Sequence, residues 1–484
     1  MKVRISNLLY LNFILFIYSS ASSANIDERF ISPEELFQIK AEFENEGDML
    51  ETETPQEIRS INIQKSWTIM IYMAADNDLN YFAWKNLKQM ELVGSNQNIN
   101  IVVQLNVQGN NTTKRYMVKK GKRILFQEQT NLQEKLNSGS YHTLVNFVTW
   151  GTQNFPANNY ALILWNHGTG AIDPYFGRAI NPADLFYLNP TDDKFEIDRG
   201  ISYVSLIYSE MYKHIKTDKK RGICFDDSFK SYISNHDLEI ALSEIIHKVL
   251  HGKKLSLIGF DACLMSMIEV SSICKNYAEY FVGSQELEYG AGWKYDEVLE
   301  QFNHDNLDPK SFAKHIVISY ERAYQKHIND YTLSAMELDK HHLLEQNVDN
   351  LANTLIEALK NQQNKRVSDT IRKCKSTQYC TCFDEPSYID LADFYCNLFQ
   401  HISHITLQNK ELEKRVQSQL FTLISEGLNI IQSLIIENKV GPKLKRAQGI
   451  SIYFPEHNII ASYSKSPFAI NNQWLKLLNK YIHG

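Results

Sequence analysis

The 484-residue sequence holds no apolar run long enough to span a bilayer, no long basic tract, no internal repeat and no low-complexity segment. Each absence narrows what the chain can do. A formal net charge of −6 without a basic run argues against a dedicated nucleic-acid binder and leaves small solutes, peptides or proteins as partners. With 11 prolines and 20 glycines the chain has too little of either for a disordered polymer, and 43% hydrophobic with 22% charged residues is ordinary for a globular protein. Its length leaves room for more than one domain. Cysteine is scarce and odd in number at seven, so in an exported protein at least one thiol is free or paired between chains. Cys374, Cys380, Cys382 and Cys396 fall in one stretch, where an oxidising compartment would allow disulfides. A zinc site there is disfavoured, because Cys380-Thr-Cys382 lacks the two-residue spacer such sites commonly use.

What is present starts with MKVRISNLLYLNFILFIYSSASSA, which has two early positive charges, an apolar stretch over 8–18 and small residues at Ser22 and Ala24. Residues 1–24 read as a signal peptide, implying a secreted or periplasmic protein. An uncleaved anchor is the alternative, disfavoured because the apolar stretch falls short of the ~20 residues a spanning helix needs. No cysteine follows the small residues to carry a lipid. Residues 25–65 are acidic and polar and read as a linker or prosegment.

From Trp67 short apolar runs alternate with longer amphipathic stretches, the pattern of a mostly parallel sheet covered by helices. Candidate strands are WTIMIYMA, INIVVQLN, YALILWN, LSLIGFDA, EYFVGS and YTLSAMEL, each nearly continuous in hydrophobicity as strands buried on both faces are. Helices are predicted over 79–92, 141–150, 235–250 with Asn235 as N-cap, 265–280 and 309–326. Residues 66–340 thus read as an α/β catalytic domain. Residues 341–484 read as a helix-rich region, with helices over 343–359 and 409–437 and a last strand in GISIYFP, packed on that domain.

Reactive groups in open parallel sheets collect at the carboxyl ends of strands. Two strands end in such groups here. YALILWNHGTG delivers His167 with Gly168 beside it, and LSLIGFDACLMSMIEV delivers Asp261 and Cys263 with a helix expected to start at once. A thiol at a helix N-terminus is favoured as thiolate, and an imidazole can take and return its proton. The backbone amides of Gly168 and Cys263 are candidate oxyanion donors. Taken singly, Cys263 is more simply a buried core cysteine and His167 a structural histidine; their joint placement at strand ends favours a dyad.

Five blocks in order, WTIMIYMAADNDLN, LILWNHGTG, ICFDDS, FDACLMSMIEV and VGSQELEYGAGWKYDEVL, resemble the clostripain-like cysteine peptidases, relatives of caspases, legumains and gingipains. Weaker similarity extends the resemblance over about 66–460. It implies a caspase-like fold, an endopeptidase with His167 and Cys263 as its dyad, and Asp261 in the pocket for the substrate residue before the cut (P1). A carboxylate there would pair with P1 Arg or Lys; otherwise Asp261 is a structural acid bonded to turn amides. Where family members carry Gly-Asp-Gly-Trp, this chain has Gly290-Ala291-Gly292-Trp293. The second pocket acid is missing, and Glu286 or Glu288 could replace it or be solvated loop residues. Relatives also mature by cleavage in the loop after the histidine. Here 171–221 is long and carries Arg178, Lys194, Arg199, Lys216, Lys219, Lys220 and Arg221, a processing site or an uncut surface insertion.

Some relatives need calcium. Asp76-Asn-Asp78 and Asp226-Asp227-Ser228 have suitable oxygens without EF-hand spacing, and Asp76 and Asp78 are more simply caps for the helix near Leu79. The resulting expectation is an exported cysteine endopeptidase with no cofactor required, calcium being the one candidate. The rivals are a non-catalytic binding protein on the same fold and a metal-dependent hydrolase.

Overall fold

The computed structural model describes residues 64–109, 112–126, 134–172, 185–192, 194–199, 222–360 and 364–483. The expected signal peptide, nearly all of the 25–65 linker and most of the 171–221 loop, with five of its seven basic residues, lie outside them.

The strands are β1 (Lys65–Ala75), β2 (Ile99–Val107), β3 (Lys114–Lys119), β4 (Lys122–Leu125), β5 (Ala157–Trp165), β6 (Phe186–Asn189), β7 (Lys194–Ile197), β8 (Gly222–Asp226), β9 (Ser231–Ser234), β10 (Leu255–Asp261), β11 (Ala278–Gly283), β12 (Thr332–Glu337), β13 (Tyr388–Asp390), β14 (Ile435–Val440) and β15 (Ser451–Tyr453). Nine form one sheet in the order β14-β12-β11-β10-β5-β1-β2-β3-β4. Its centre, β11-β10-β5-β1-β2, is parallel, and antiparallel strands extend both edges. All six strands read as continuous apolar runs are in it. GISIYFP yields β15, which pairs with β13 in a separate two-stranded sheet.

Strand alternation divides the interior in two. Met70, Tyr72, Leu162, Leu164, Ile258 and Phe260 face one apolar cluster, while Ile69, Ile71, Met73, Ile163, Trp165 and Leu257 face the other. A polar period-2 pattern is absent because both faces are covered. Trp67 closes the second layer at the strand's start: it packs edge-on against Phe302 and Phe312, and its indole N–H donates to the Leu307 carbonyl at 2.7 Å.

The predicted helices appear as Asn80–Val93, Tyr141–Asn154, Asn235–Glu244, Pro309–Tyr324, His341–Leu359 and Lys410–Leu434. Two caps differ from expectation. Ser234, still extended, accepts the Asp237 amide at 2.9 Å and takes the capping place assigned to Asn235. Neither Asp76 nor Asp78 caps Asn80–Val93, whose N-cap is Leu79; Asn77 accepts the Leu79 amide at 3.0 Å. The helix expected after Cys263 differs more: only Ile268–Cys274 is helical, because Leu264 adopts a left-handed φ of 62° and holds 262–267 as a loop. The 409–437 helix ends at Leu434, and its last predicted residues start β14 on the sheet edge. Among the described residues no helix is long and apolar enough to cross a membrane.

Candidate active site

The chain leaves β1 toward β2 on one side and later builds β5, β10 and β11 on the other. The order therefore reverses between β1 and β5, and the crevice beyond their carboxyl ends is where such sheets bind ligands. Three chain segments reach it. Asp76 to Asp78 follow β1, His167 follows β5 and Cys263 follows β10.

Register sets the meeting of His167 and Cys263. Trp165 of β5 pairs with Asp261 of β10, so His167 and Cys263 each stand two residues past a paired position on neighbouring strands. Such strands run roughly 4.8 Å apart. The Asn166 amide donates to the Asp261 carbonyl at 3.3 Å and carries the pairing one step further. Gly168 lies so close that a Cβ on it would come within 2.5 Å of the Cys263 carbonyl oxygen, which excludes any side chain at that position. Gly170, at φ 62°, packs in the same way on Leu264. His167, Asp261 and Cys263 line one cleft together with Glu288, Tyr289, Gly290 and Gly292.

The thiol is held at rest. The Glu288 amide donates to Cys263 Sγ at 3.2 Å, and Cys263 is only 8% exposed. Burial pushes its pKa up, the Glu288 amide pulls it back in part, and the carboxylates of Glu288, Asp384 and Glu286 push the same way as burial. The expected activation by a helix N-terminus is thus corrected. No helix begins at Cys263, and loss of the thiol proton falls to a base.

His167 Nε2 lies 2.7 Å from Asp78 Oδ1. Asp78 was read as a cap or calcium ligand; it is instead the carboxylate beside the imidazole. The backbone gave no local signal for this, since 89 positions separate the two.

Asp261 is buried beneath the loop that ends the pocket. Its Oδ1 accepts the Trp293 amide at 3.0 Å and its Oδ2 accepts the Tyr295 hydroxyl at 2.9 Å. Gly292, with φ 62°, passes so close that a Cβ would meet Asp261 Oδ1 at 2.7 Å. Burial raises the Asp261 carboxyl to about 7, against the pull of Tyr295, Trp293 and Glu288. Of the two glutamates, Glu286 is fully buried and pairs with Arg199 at 2.8 Å, whereas Glu288 turns to Asp261.

A β6–β7 hairpin borders the cleft. Leu185 and Phe186 line it, and Phe186 and Phe195 flank the Tyr289 ring at 5.2 and 6.4 Å. Glu196 fixes this hairpin, accepting from Tyr187, Asn189 and Asn329 and pairing with Lys443. Arg199 adds its contacts to Glu286 and Asp330, and the Ile197 amide donates to Asp330.

The two segments read as calcium candidates do meet, the Asp227 amide donating to the Asp76 carbonyl. The cation between them is Lys135, 2.7 Å from Asp76 Oδ2 and 3.1 Å from Ser228 Oγ. Asp226 is engaged by Ser138 and the Phe229 amide, and Asp78 by His167. Among the described residues no group of three or more His, Cys, Asp or Glu is arranged to hold a metal. The seven cysteines form no disulfide, the 374–396 cluster included.

His167 and Cys263 follow neighbouring strands and line one cleft at the switch point of a mostly parallel sheet, in a caspase-like fold. The clostripain-family profile matches residues 71–179 and 204–480. The chain is 22% identical to clostripain of Hathewaya histolytica over 87% of its own length and 82% of that protein's. Among solved structures, a secreted cysteine protease of Bacteroides thetaiotaomicron in complex with an irreversible peptide inhibitor aligns over 85% of this chain and 99% of its own, with a TM-score of 0.52 and 18% identity. An inactive zymogen protease of Parabacteroides distasonis aligns over 86% and 99%, with a TM-score of 0.53 and 18% identity. The chain belongs to the clostripain family. It is a cysteine endopeptidase, and its substrates are peptides or proteins.

Proposed function

We propose that this endopeptidase works through Cys263 as nucleophile and His167 as general base, is exported, and cuts after Arg or Lys. His167 takes the Cys263 proton, and the thiolate attacks the scissile carbonyl. The Gly168 and Cys263 amides then receive the oxyanion. His167 returns the proton to the leaving amine, and water hydrolyses the thioester. The Asp78 carboxylate accepts from Nε2, which fixes the ring's tautomer and leaves Nδ1 as the base.

One observation carries this reading: the β5–β10 register puts His167 and Cys263 at the same level beyond adjacent strand ends, with Gly168 packed on the Cys263 carbonyl. The deciding assay uses a fluorogenic peptide panel with P1 Arg, Lys, Asn, Asp and Leu, cleaved by protein lacking residues 1–24 and by its Cys263→Ala variant. Cleavage after Arg and Lys that the variant lacks is the expected result; equal activity in both proteins would end the cysteine-nucleophile reading.

Export is supported by residues 1–24 and by the description of the Bacteroides thetaiotaomicron protease as secreted. Self-processing within 171–221 is supported by the basic residues there and by the hairpin that borders the cleft. The intact mass of the wild type after incubation is expected to fall to two fragments while Cys263→Ala stays whole. The mechanism calls for no cofactor, since thiol and imidazole supply both nucleophile and proton transfer.

A further inference from the structure

We propose that Glu288 is the acid that meets a basic P1 side chain, replacing by position the family acid lost at Ala291. This rests on the Arg/Lys reading above and deepens it. The family's acid position and three carboxyls around the cleft, Glu286, Asp261 and Glu288, could charge the pocket, and all but Glu288 are accounted for. Residue 291 carries a methyl group. Glu286 is neutralised by Arg199 and receives the Leu287 and Asp384 amides. Asp261 has both oxygens engaged, by the Trp293 amide and the Tyr295 hydroxyl, and lies behind Gly292. Its role is to hold the 288–295 loop against β10.

Glu288 differs from all three. It is 7% exposed, lines the cleft, and neither of its carboxyl oxygens receives a well-aligned hydrogen bond. The Ala262 amide and the Trp293 indole N–H only favour its charged form weakly. A buried carboxyl with no well-placed donor is costly to keep unless a ligand completes it. Its position suits that ligand. The Glu288 amide touches Cys263 Sγ, so its side chain leaves the backbone beside the nucleophile, where P1 must lie. Burial and the neighbouring Asp261 both raise the Glu288 carboxyl, as expected of two acids sharing a proton while no cation is bound. An ammonium or guanidinium would supply the close, charged donor that Glu288 lacks.

The test measures kcat/KM for peptides identical except for P1 Lys, Arg or norleucine, using the wild type, Glu288→Gln, and Glu288→Gln combined with Ala291→Asp. The amide keeps the shape and the main-chain contact to Cys263. Glu288→Gln is expected to lose about 30-fold or more on Lys and Arg while norleucine cleavage stays within about threefold, and Ala291→Asp is expected to restore much of the basic preference. An unchanged Lys-to-norleucine ratio in Glu288→Gln would overturn the proposal. A wild type that prefers norleucine would instead overturn the Arg/Lys reading itself. If Glu288→Gln loses every substrate, the double variant decides: recovery on Lys supports pocket charge, and continued inactivity assigns Glu288 to holding the nucleophile and overturns the proposal.

Discussion

At the scale of single residues, the pair His167 and Asp78 bears most directly on rate. A hydrogen bond to a charged group is worth about 1.5–3 kcal/mol, and here it also selects which ring nitrogen faces the thiol. Asp78→Asn keeps the size but reverses the polarity of one position, so kcat is expected to fall by about 10²-fold with KM little changed, and the acid limb of the kcat/KM–pH profile is expected to move. A loss confined to thermal stability would contradict that role. The pocket gives a second prediction. Burial raises both members of the acid pair, Asp261 to about 7 and Glu288 as well, so the charge the pair offers a cation at Glu288 is present above that value and is lost as pH falls through it. The ratio of Lys to norleucine cleavage, in which the dyad's own titration cancels, is expected to rise with pH across 7. Cys263 and His167 were legible because each follows an apolar run that can only be a buried strand. Asp78 and Glu288 were not. Their partners lie far along the chain, and a local reading offers only a helix cap and a loop acid.

At the scale of elements, continuity of apolar sequence exposed the central strands and charge hid the outer ones. KRYMVK and KRIL of β3 and β4 alternate charge with apolar residues at one edge, and IIENKV of β14 continues a long helical pattern at the other. The loop after Cys263 was mistaken for helix because Leu264-Met-Ser-Met favours one by propensity, while the left-handed φ at Leu264 prevents it. The β6–β7 hairpin, with charged and aromatic residues on short strands, gave no strand signal at all, yet it borders the cleft. Burial alone would raise its Glu196, but the donors from Lys443, Tyr187, Asn189 and Asn329 outweigh it and hold the carboxyl down to about 2. Removing that anchor with Glu196→Ala is expected to let the hairpin open, and alkylation of Cys263 by a neutral thiol reagent to run about tenfold faster, as a shift of about 1.4 kcal/mol in the closing equilibrium would give. An unchanged alkylation rate would mean that the hairpin does not control access.

At the scale of the molecule, the sequence placed the chemistry at one end of a parallel sheet, and the order β10-β5-β1-β2 identifies that end as the switch point. The 341–484 region was read as packed on that domain, but the way it joins the sheet was not legible, because the joining contact is one edge strand, β14, pairing with β12. Lys135, far in sequence from both acidic segments, lies between them and pairs with Asp76. A chelator is therefore expected to leave peptide cleavage unchanged, and a loss of activity that calcium restores would place a cation elsewhere. The central claim is that Cys263 and His167 act as one unit. Its most direct test is covalent labelling of the protein lacking residues 1–24 by a lysine-P1 peptide acyloxymethyl ketone, followed by peptide mapping. The expected result is a single adduct on Cys263, absent from His167→Ala under the same conditions. Equal labelling of Cys263 in wild type and His167→Ala, or an adduct on another cysteine, would contradict it.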